Sequence, residues 1–545
     1  MRRPMRRPGV TLRRRAGAVG GQDAGIAMVA VVGSMAVMMV FLLSGLAYVL
    51  ANNAPARAAQ DAKTAVTAAE AGLDEYISRL NADPTYYTKA NGDTTNTAFS
   101  TGTVIQGTSG QAARYAYKVL TTPTETAQSG TIRLQVTGTS SPGNGGRSVS
   151  RTLTATLSPR GFLSYIYLSD VEVTDPTLNG TPSSCGTYYY AGRGSNGSCS
   201  NIQWTSGDTV KGPLHSNDQL QINGAVNFTS PKTTSSWPSL NVANPPTKSW
   251  WGTRNPPLAG YSPKYAPPLQ MPAGNTELLE QVAPDRDGDT TTPAGPGCYY
   301  TGATRIIFQG TTMRVLSPST SAADTPSRCL DVANRANEQV KAIPPVIYVD
   351  RTTASCTTGA IGYPAPGESY TTGTSTAFSW GDTTNYHCQQ GSAYVQGSAD
   401  AQVTVSGKND VVITGNLTVQ DDGAGTDVIG LIAGNFVWVY HPVNGGGSNL
   451  LGSANAVTTI DAAILSISHS FVVQNWAQGA AVGTLNVTGA IAQKFRGPVG
   501  TGSGTTISTG YYKNYVYDSR LNYLQPPFFL KSASSPWQVT NLTDK

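Results

Sequence analysis

Charged residues are scarce in this chain. Asp, Glu, Lys and Arg make up 13% of its 545 residues, about half the share usual in soluble domains. The hydrophobic content of 39% supplies a sizeable core and excludes a disordered chain, which is poor in apolar residues. A net charge of +5 does not amount to a nucleic-acid surface. Seven arginines (Arg2, Arg3, Arg6, Arg7, Arg13, Arg14 and Arg15) lie at the very start, and the remainder is close to neutral. Histidine is limited to His215, His387, His441 and His469. They form no HxH or HExxH, the six cysteines form no CxxC, and neither GxSxG nor a P-loop occurs. The common signatures of zinc sites, serine hydrolases and nucleotide binding are therefore missing. Glycine is plentiful, with 59 residues, as are serine and threonine. That composition suits extracytoplasmic β-structure with many turns.

Long apolar runs are also missing, with one exception. Residues 24–51 carry no charged side chain and would span about 42 Å as a helix at 1.5 Å per residue. A cleavable export signal has an apolar stretch of only about 7–15 residues, so the run reads as a transmembrane helix, although "ANNAPA" after it offers a signal-peptidase site. The arginine-rich leader, residues 1–23, places the N-terminus in the cytoplasm by the positive-inside bias, with everything from Asn52 onward outside. Helical periodicity continues beyond the membrane. In residues 52–83, Ala62, Val66, Ala69, Leu73, Tyr76 and Leu80 recur at three- and four-residue steps, and Asp83-Pro84 ends the pattern. The two segments together predict a rod of about 87 Å.

The Arg-rich leader, the small-residue junction "GGQDAGIAMV", the apolar helix and "TAAEAGLDEYISRLN", with "AAEAGL" (Ala68 to Leu73) as its centre, resemble the N-terminal segment of type IV pilus minor pilins of the PilX type from Gram-positive, GC-rich bacteria. In that family the apolar helix spans the membrane before assembly and lies in the filament core afterwards, two surroundings that both require internally satisfied backbone groups. Gly33, Ser34, Ala36, Ser44, Gly45 and Ala47 permit close helix approach. The resemblance implies a membrane-anchored minor pilin-like subunit whose partners are the membrane, other pilin subunits and the pilus assembly machinery. The chain departs from the family at one point: cleavage after Gly21 puts Ile26 where a glutamate usually stands, and Asp23 is the one carboxylate nearby.

Residues 84–160 read as a small antiparallel meander. "ARYAYKVL" (Ala113 to Leu120), "TIRLQVTGTS" (Thr131 to Ser140) and "RSVSRTLTATLSP" (Arg147 to Pro159) alternate with period two between Gly, Pro, Ser and Asn turns. A long helix on such a meander is also how pilin heads are built. Residues 161–545 read as one outer domain, mainly β. In "VVITGNLTV", Val411, Ile413, Leu417 and Val419 point one way around Gly415; in "GTLNVTGAIAQKF", Leu485, Val487, Ile491 and Phe495 do so around Gly489. Rungs of this size predict a right-handed parallel β-helix, with a β-sandwich as the alternative because Pro/Gly-rich insertions interrupt the repeat. "GLIAGNFVWVYHP", "GAIAQKFRGPVG" and "GPLHSND" are similar to the extracytoplasmic part of large pilin-like proteins of the same bacteria.

The cysteines fit an oxidising compartment. They fall as Cys185/Cys199, Cys298/Cys329 and Cys356/Cys388, and loop closure favours neighbours, while six cysteines allow about 15 connectivities. "DRDGDT" places Asp285, Asp287 and Asp289 at alternate positions, a weak calcium candidate whose glycine stands fourth rather than sixth; "QDDGAGTD", with Asp421, Asp422 and Asp427, is weaker. No other cofactor is expected. A polysaccharide-active enzyme needs converging carboxylates. Asp218, Asp350, Asp410 and Asp461 are available, but no spacing selects them, so no catalytic residue is assigned and the chain reads as a structural protein rather than an enzyme. His469, in step with Leu465, Ile467 and Phe471, reads as a buried, hydrogen-bonded histidine, and His441, before Pro442, as a turn residue. Trp250, Trp251, Tyr261, Tyr265, Tyr299 and Tyr300 are aromatics that would cover the core, stack on sugars or meet a partner. The expected role is filament assembly, capping or adhesion to surface glycans or other cell-surface ligands. The alternative is a membrane-tethered carbohydrate-binding or carbohydrate-active β-helix protein.

Overall fold

A computed structural model describes residues 24–544, less 84, 90, 107–111, 142–147, 160, 189–192, 194–198, 201, 219, 221, 224–225, 229–232, 237–263, 267, 283–294, 322–324, 358, 369–387, 422, 504–505 and 533–535. The leader with Gly21 and Asp23, the calcium candidates Asp285, Asp287 and Asp289, and Asp422, His387, Trp250, Trp251 and Tyr261 lie outside the described residues.

One helix, Ala24–Ala82, runs through both predicted segments. Its first part is exposed: every large apolar side chain from Met28 to Tyr48 is at least half exposed. From Asp61 onward a stripe is buried, comprising Asp61, Ala65, Ala68, Ala69, Leu73, Tyr76 and Leu80. This agrees with the expected stripe from Ala69 on and corrects it before that point, where Ala65 and Ala68 replace Ala62 and Val66. The reason is close packing. A Cβ on Gly138 would lie 1.9 Å from the Ala65 carbonyl oxygen and 2.5 Å from the Ala69 nitrogen, so the helix backbone rests directly on glycine and presents its smallest residues there.

The helix lies on a five-stranded antiparallel sheet in the order Thr103–Gln106, Ala112–Val119, Ile132–Ser141, Val149–Pro159 and Trp537–Asp544. Alternate residues face the helix, as the period-two pattern predicts: Tyr115 and Tyr117, then Ile132, Leu134 and Val136, then Leu153, Ala155 and Leu157. The short helix Pro123–Ser129 between the second and third strands is closed by a Thr122/Glu125 capping box and by Gly130 in the left-handed region. The last strand is a correction. Residues 537–544 were expected in the outer domain, but they return to pair with Val149–Pro159, and Trp537 joins the helix–sheet core. A pairing between residues about 380 apart in sequence has no local signature.

The outer region forms a 21-stranded mixed sheet whose pairings are predominantly parallel. One ladder runs, in space, through Thr233–Ser235, Leu214–Ser216, Tyr167–Val171, the end of Ala481–Phe495, the end of Thr459–Ser466, Val428–Ala433, Gln402–Gly407, Val346–Asp350 and Cys298–Thr301. A second runs through Thr304–Gly310, Ala393–Ala399, Val411–Val419, Val437–Val439 and Phe471–Val473. A third joins the start of Ala481–Phe495 to Thr506–Tyr517, Thr209–Lys211 and Asn227–Phe228. Val411, Ile413, Leu417, Val419, Leu485, Val487 and Ile491 all enter one continuous aliphatic core. Phe495 does not; it is half-buried, with its ring beside Gly186, where a Cβ would lie 3.5 Å from it. Many strands are buried on both faces and read as unbroken apolar runs, "VIGLIA" among them. Polar ladders mark the corners, such as Asn435 donating to Asn409 (2.6 Å) and Asn409 to Ser392 (3.2 Å).

The order in space is not the order in sequence. Tyr167 pairs with Ile491 and Val210 with Tyr515, so residues 162–235 stack on residues 481–517. The chain enters the stack in its middle, runs to one end, crosses to the other at Cys298, and returns strand by strand to where it began. Two antiparallel strands, Thr312–Leu316 and Gln339–Ala342, extend the Cys298 end. Disulfides join Cys185 to Cys199, Cys298 to Cys329 and Cys356 to Cys388.

Candidate functional site

Two regions offer function: the exposed helix and the joint at which residues 162–235 meet residues 481–517. The helix segment Ala27–Tyr48 is long and apolar enough to cross a membrane and is wholly exposed. Its hydroxyls are satisfied within the helix: Ser34 donates to the Val31 carbonyl (2.8 Å) and Ser44 to the Phe41 carbonyl (3.1 Å), so neither requires water. Gly33 and Gly45 face open space, leaving shallow notches where another helix could approach.

The joint is ionic. Arg496 donates to Glu172 (2.8 Å), Lys513 to Asp208 (2.9 Å), His469 pairs with Asp175 (2.7 Å), and Lys494 pairs with Asp170. Each pair links residues about 300 apart in sequence. Arg496 and Glu172 are both fully buried, and the guanidinium lies 4.3 Å from the Trp204 ring centroid. Glu172 also accepts from the Tyr167 hydroxyl (3.2 Å) and from Ser169. His469 therefore departs from its expected setting: it is half-buried in a bend rather than a strand, stacked on Phe436 with ring centroids 4.4 Å apart. The period-two reading ran through the bend that follows Ser466. His441 is buried, within 3.1 Å of the Gln474 carbonyl and 3.0 Å of Asn449 Oδ1, and burial lowers its pKa. His215 is fully buried between Thr234 and Asn217.

The four carboxylates do not act on a shared groove. Asp218 is buried against Arg193 and accepts the Glu172 amide (3.0 Å). Asp350 accepts from the Tyr299 hydroxyl (2.9 Å). Asp410 is buried, accepts from the Phe436 amide (3.0 Å) and Trp438 Nε1 (3.1 Å), and burial pushes its pKa up to about 6. Asp461 lines a separate cleft of about 140 Å³ with Asp518 and Arg520. In the "QDDGAGTD" loop the cation is Arg520, 3.4 Å from Asp421, whose carboxylate also accepts the Gly423 and Asp427 amides at 2.9 Å each. Among the described residues no group of three or more His, Cys, Asp or Glu is placed to hold a metal ion. Tyr299 and Tyr300 are core residues: Tyr299 stacks on Tyr348, and the Tyr300 hydroxyl donates to the Cys329 carbonyl (3.0 Å). Tyr265 lies in the short strand Lys264–Tyr265.

A cleft of about 340 Å³ opens beside the ionic joint, between residues 202–208 and the hairpin Gly500–Ser503/Thr506–Tyr517. Trp476, Tyr511 and Tyr512 line it with Asp208 and Lys513. Sequence reasoning passed over these residues. The visible signal was the aromatic cluster in "GYYKNYVY" (Gly510 to Tyr517).

No family model and no curated protein matches the chain. One solved structure does. It is the crystal structure of the competence-associated pilin ComZ from Thermus thermophilus, 12% identical, with 89% of this chain and 97% of that chain covered and a TM-score of 0.27. A score this low carries no argument about fold or role, which are read from the helix, the sheets and the joint.

Proposed function

We propose that the chain is a membrane-anchored, pilin-like structural subunit of a type IV-like filament, of the PilX-type minor class, that displays its outer region for assembly, capping or adhesion. One observation carries this: a single unbroken helix is apolar and wholly exposed over Ala27–Tyr48 and packed on a small antiparallel sheet from Asp61 onward. An exposed apolar stretch of this length needs lipid or other apolar helices around it, while the sheet fixes the direction in which the helix projects. The helix thus exchanges lipid contacts for contacts with neighbouring subunits, delivered by the assembly machinery. The outer region reads as a right-handed parallel β-helix, supported by the parallel ladders and their shared aliphatic core; antiparallel face-to-face sheets would be expected of a sandwich. A structural role rather than catalysis, without a required cofactor, is supported by the occupation of Asp218 and Asp410 by buried hydrogen-bond partners.

Replacing both Leu42 and Leu43 by Arg tests the anchor. Each central arginine costs about 2.5–3.5 kcal/mol of insertion free energy, so the variant is expected in the soluble fraction while the parent stays with washed membranes. Gly45→Cys, at a position with open space around it, is expected to give disulfide-linked subunits in filaments sheared from the cell surface. Absence of the chain from sheared filaments would overturn the proposal.

A further inference from the structure

We propose that the cleft between residues 202–208 and the hairpin Gly500–Ser503/Thr506–Tyr517 is a binding site for an uncharged oligosaccharide, a function that stands independently of the reading of the stem. Its walls divide between flat apolar rings and hydrogen-bonding groups, which is the requirement of a sugar, whose ring presents a C–H face and a rim of hydroxyls. Trp476 and Tyr512 are half-buried and line the cleft. Tyr512 is held in place: its hydroxyl accepts the Ile507 amide (2.7 Å), and Gly207, at φ +95°, lies so close that a Cβ there would be 3.0 Å from the ring. The Trp476 carbonyl accepts from the Thr509 hydroxyl (2.6 Å), fixing that wall to the hairpin. A platform fixed before binding loses little entropy when a sugar arrives.

The charges select against an ionic ligand. Asp208, almost fully buried, is met by Lys513 Nζ at 2.9 Å, and Arg496 and Glu172 just behind them form a second balanced pair. A phosphate or uronate would find no uncompensated cation, whereas a hydroxyl can donate to Asp208 and accept from Lys513 at once. Tyr511, next to Tyr512 in the same strand, is 1% exposed and belongs to the aliphatic core, so it backs the cleft wall from behind. The volume of about 340 Å³ stands at the low end of ligand pockets, about 300–1,000 Å³, and suits one or two sugar rings of a longer chain.

The test uses the full chain in lipid nanodiscs, free of sugar-headed detergent, titrated with maltotriose, cellotriose, chitotriose and xylotriose by calorimetry. At least one is expected to bind saturably with Kd below about 1 mM, unchanged between about 0.05 and 0.5 M salt. Trp476→Ala and Tyr512→Ala are each expected to weaken it at least about tenfold. Failure of all four sugars to bind below about 10 mM overturns the proposal, as does binding that survives Trp476→Ala and Tyr512→Ala together. Tighter, salt-sensitive binding of trigalacturonate overturns the assignment of an uncharged ligand.

Discussion

Arg496 shows how much of this molecule depends on single side chains. Its guanidinium is fully buried between Glu172 and Trp204, and its backbone nitrogen donates to the Val171 and Val173 carbonyls at 3.1 Å each. Arg496→Ala strands Glu172 without its partner and is expected to cost about 3–5 kcal/mol, measured by urea unfolding, whereas Arg496→Met with Glu172→Leu recovers most of that loss. Asp410 gives a pH signature. Its carboxyl is pushed up to about 6 by burial, from an ordinary 3.8, so the folded state holds the proton more tightly than the unfolded chain. The sign follows: stability falls as pH rises from about 4 to about 6, by on the order of 3 kcal/mol, and Asp410→Asn flattens that slope in unfolding measured at pH 4.5 and 7. At this scale the sequence was partly legible. For Tyr299 and Tyr300 a core position was one of the readings their aromatic character allowed, and the fold selects it, but Arg496 and Glu172 look like ordinary surface charges until the chain is folded. The cleft residues Trp476 and Tyr512 come from a turn and a separate strand, so no spacing joins them.

The elements were more legible than their contacts. Period two marked the three meander strands, and the charge-free run marked the exposed helix, because each depends only on residues within one turn or one strand. The buried stripe before Ala69 was misread because the choice between Ala62 and Ala65 is made by Gly138, some seventy residues later, which admits the helix backbone where a side chain would hold it off. Gly138→Ala is therefore expected to lower stability by about 1–3 kcal/mol in thermal unfolding. Gly45→Ala, on the same helix but with nothing within 4 Å of its Cβ, is expected to leave the midpoint unchanged. The contrast ties the loss at Gly138 to the close approach of the helix backbone.

At the level of the whole molecule a mainly β outer region was legible from its alternating runs, but the permuted order of its strands was not, because the pairings that set it, between residues 162–235 and 481–517, join residues about 300 apart in sequence. Both chain connections between the stem sheet and the outer region lie at this joint: Pro159 leads directly to Phe162 and Tyr167, and Tyr517 leads on to Trp537. Deleting Trp537–Asp544 is expected to expose residues 84–159 to rapid proteolysis while residues 298–517 stay resistant, as followed by mass spectrometry of the fragments. The same arrangement has a temporal meaning. A polypeptide appears from its N-terminus, so the rungs at 167–216, which pair with each other and with Thr233–Ser235, stay open on their other side until residues 481–517 follow, and the stem sheet waits longer still for Trp537–Asp544. Copies cut short before residue 481 would thus stay unfinished at both places, and the architecture itself would discriminate against such truncations.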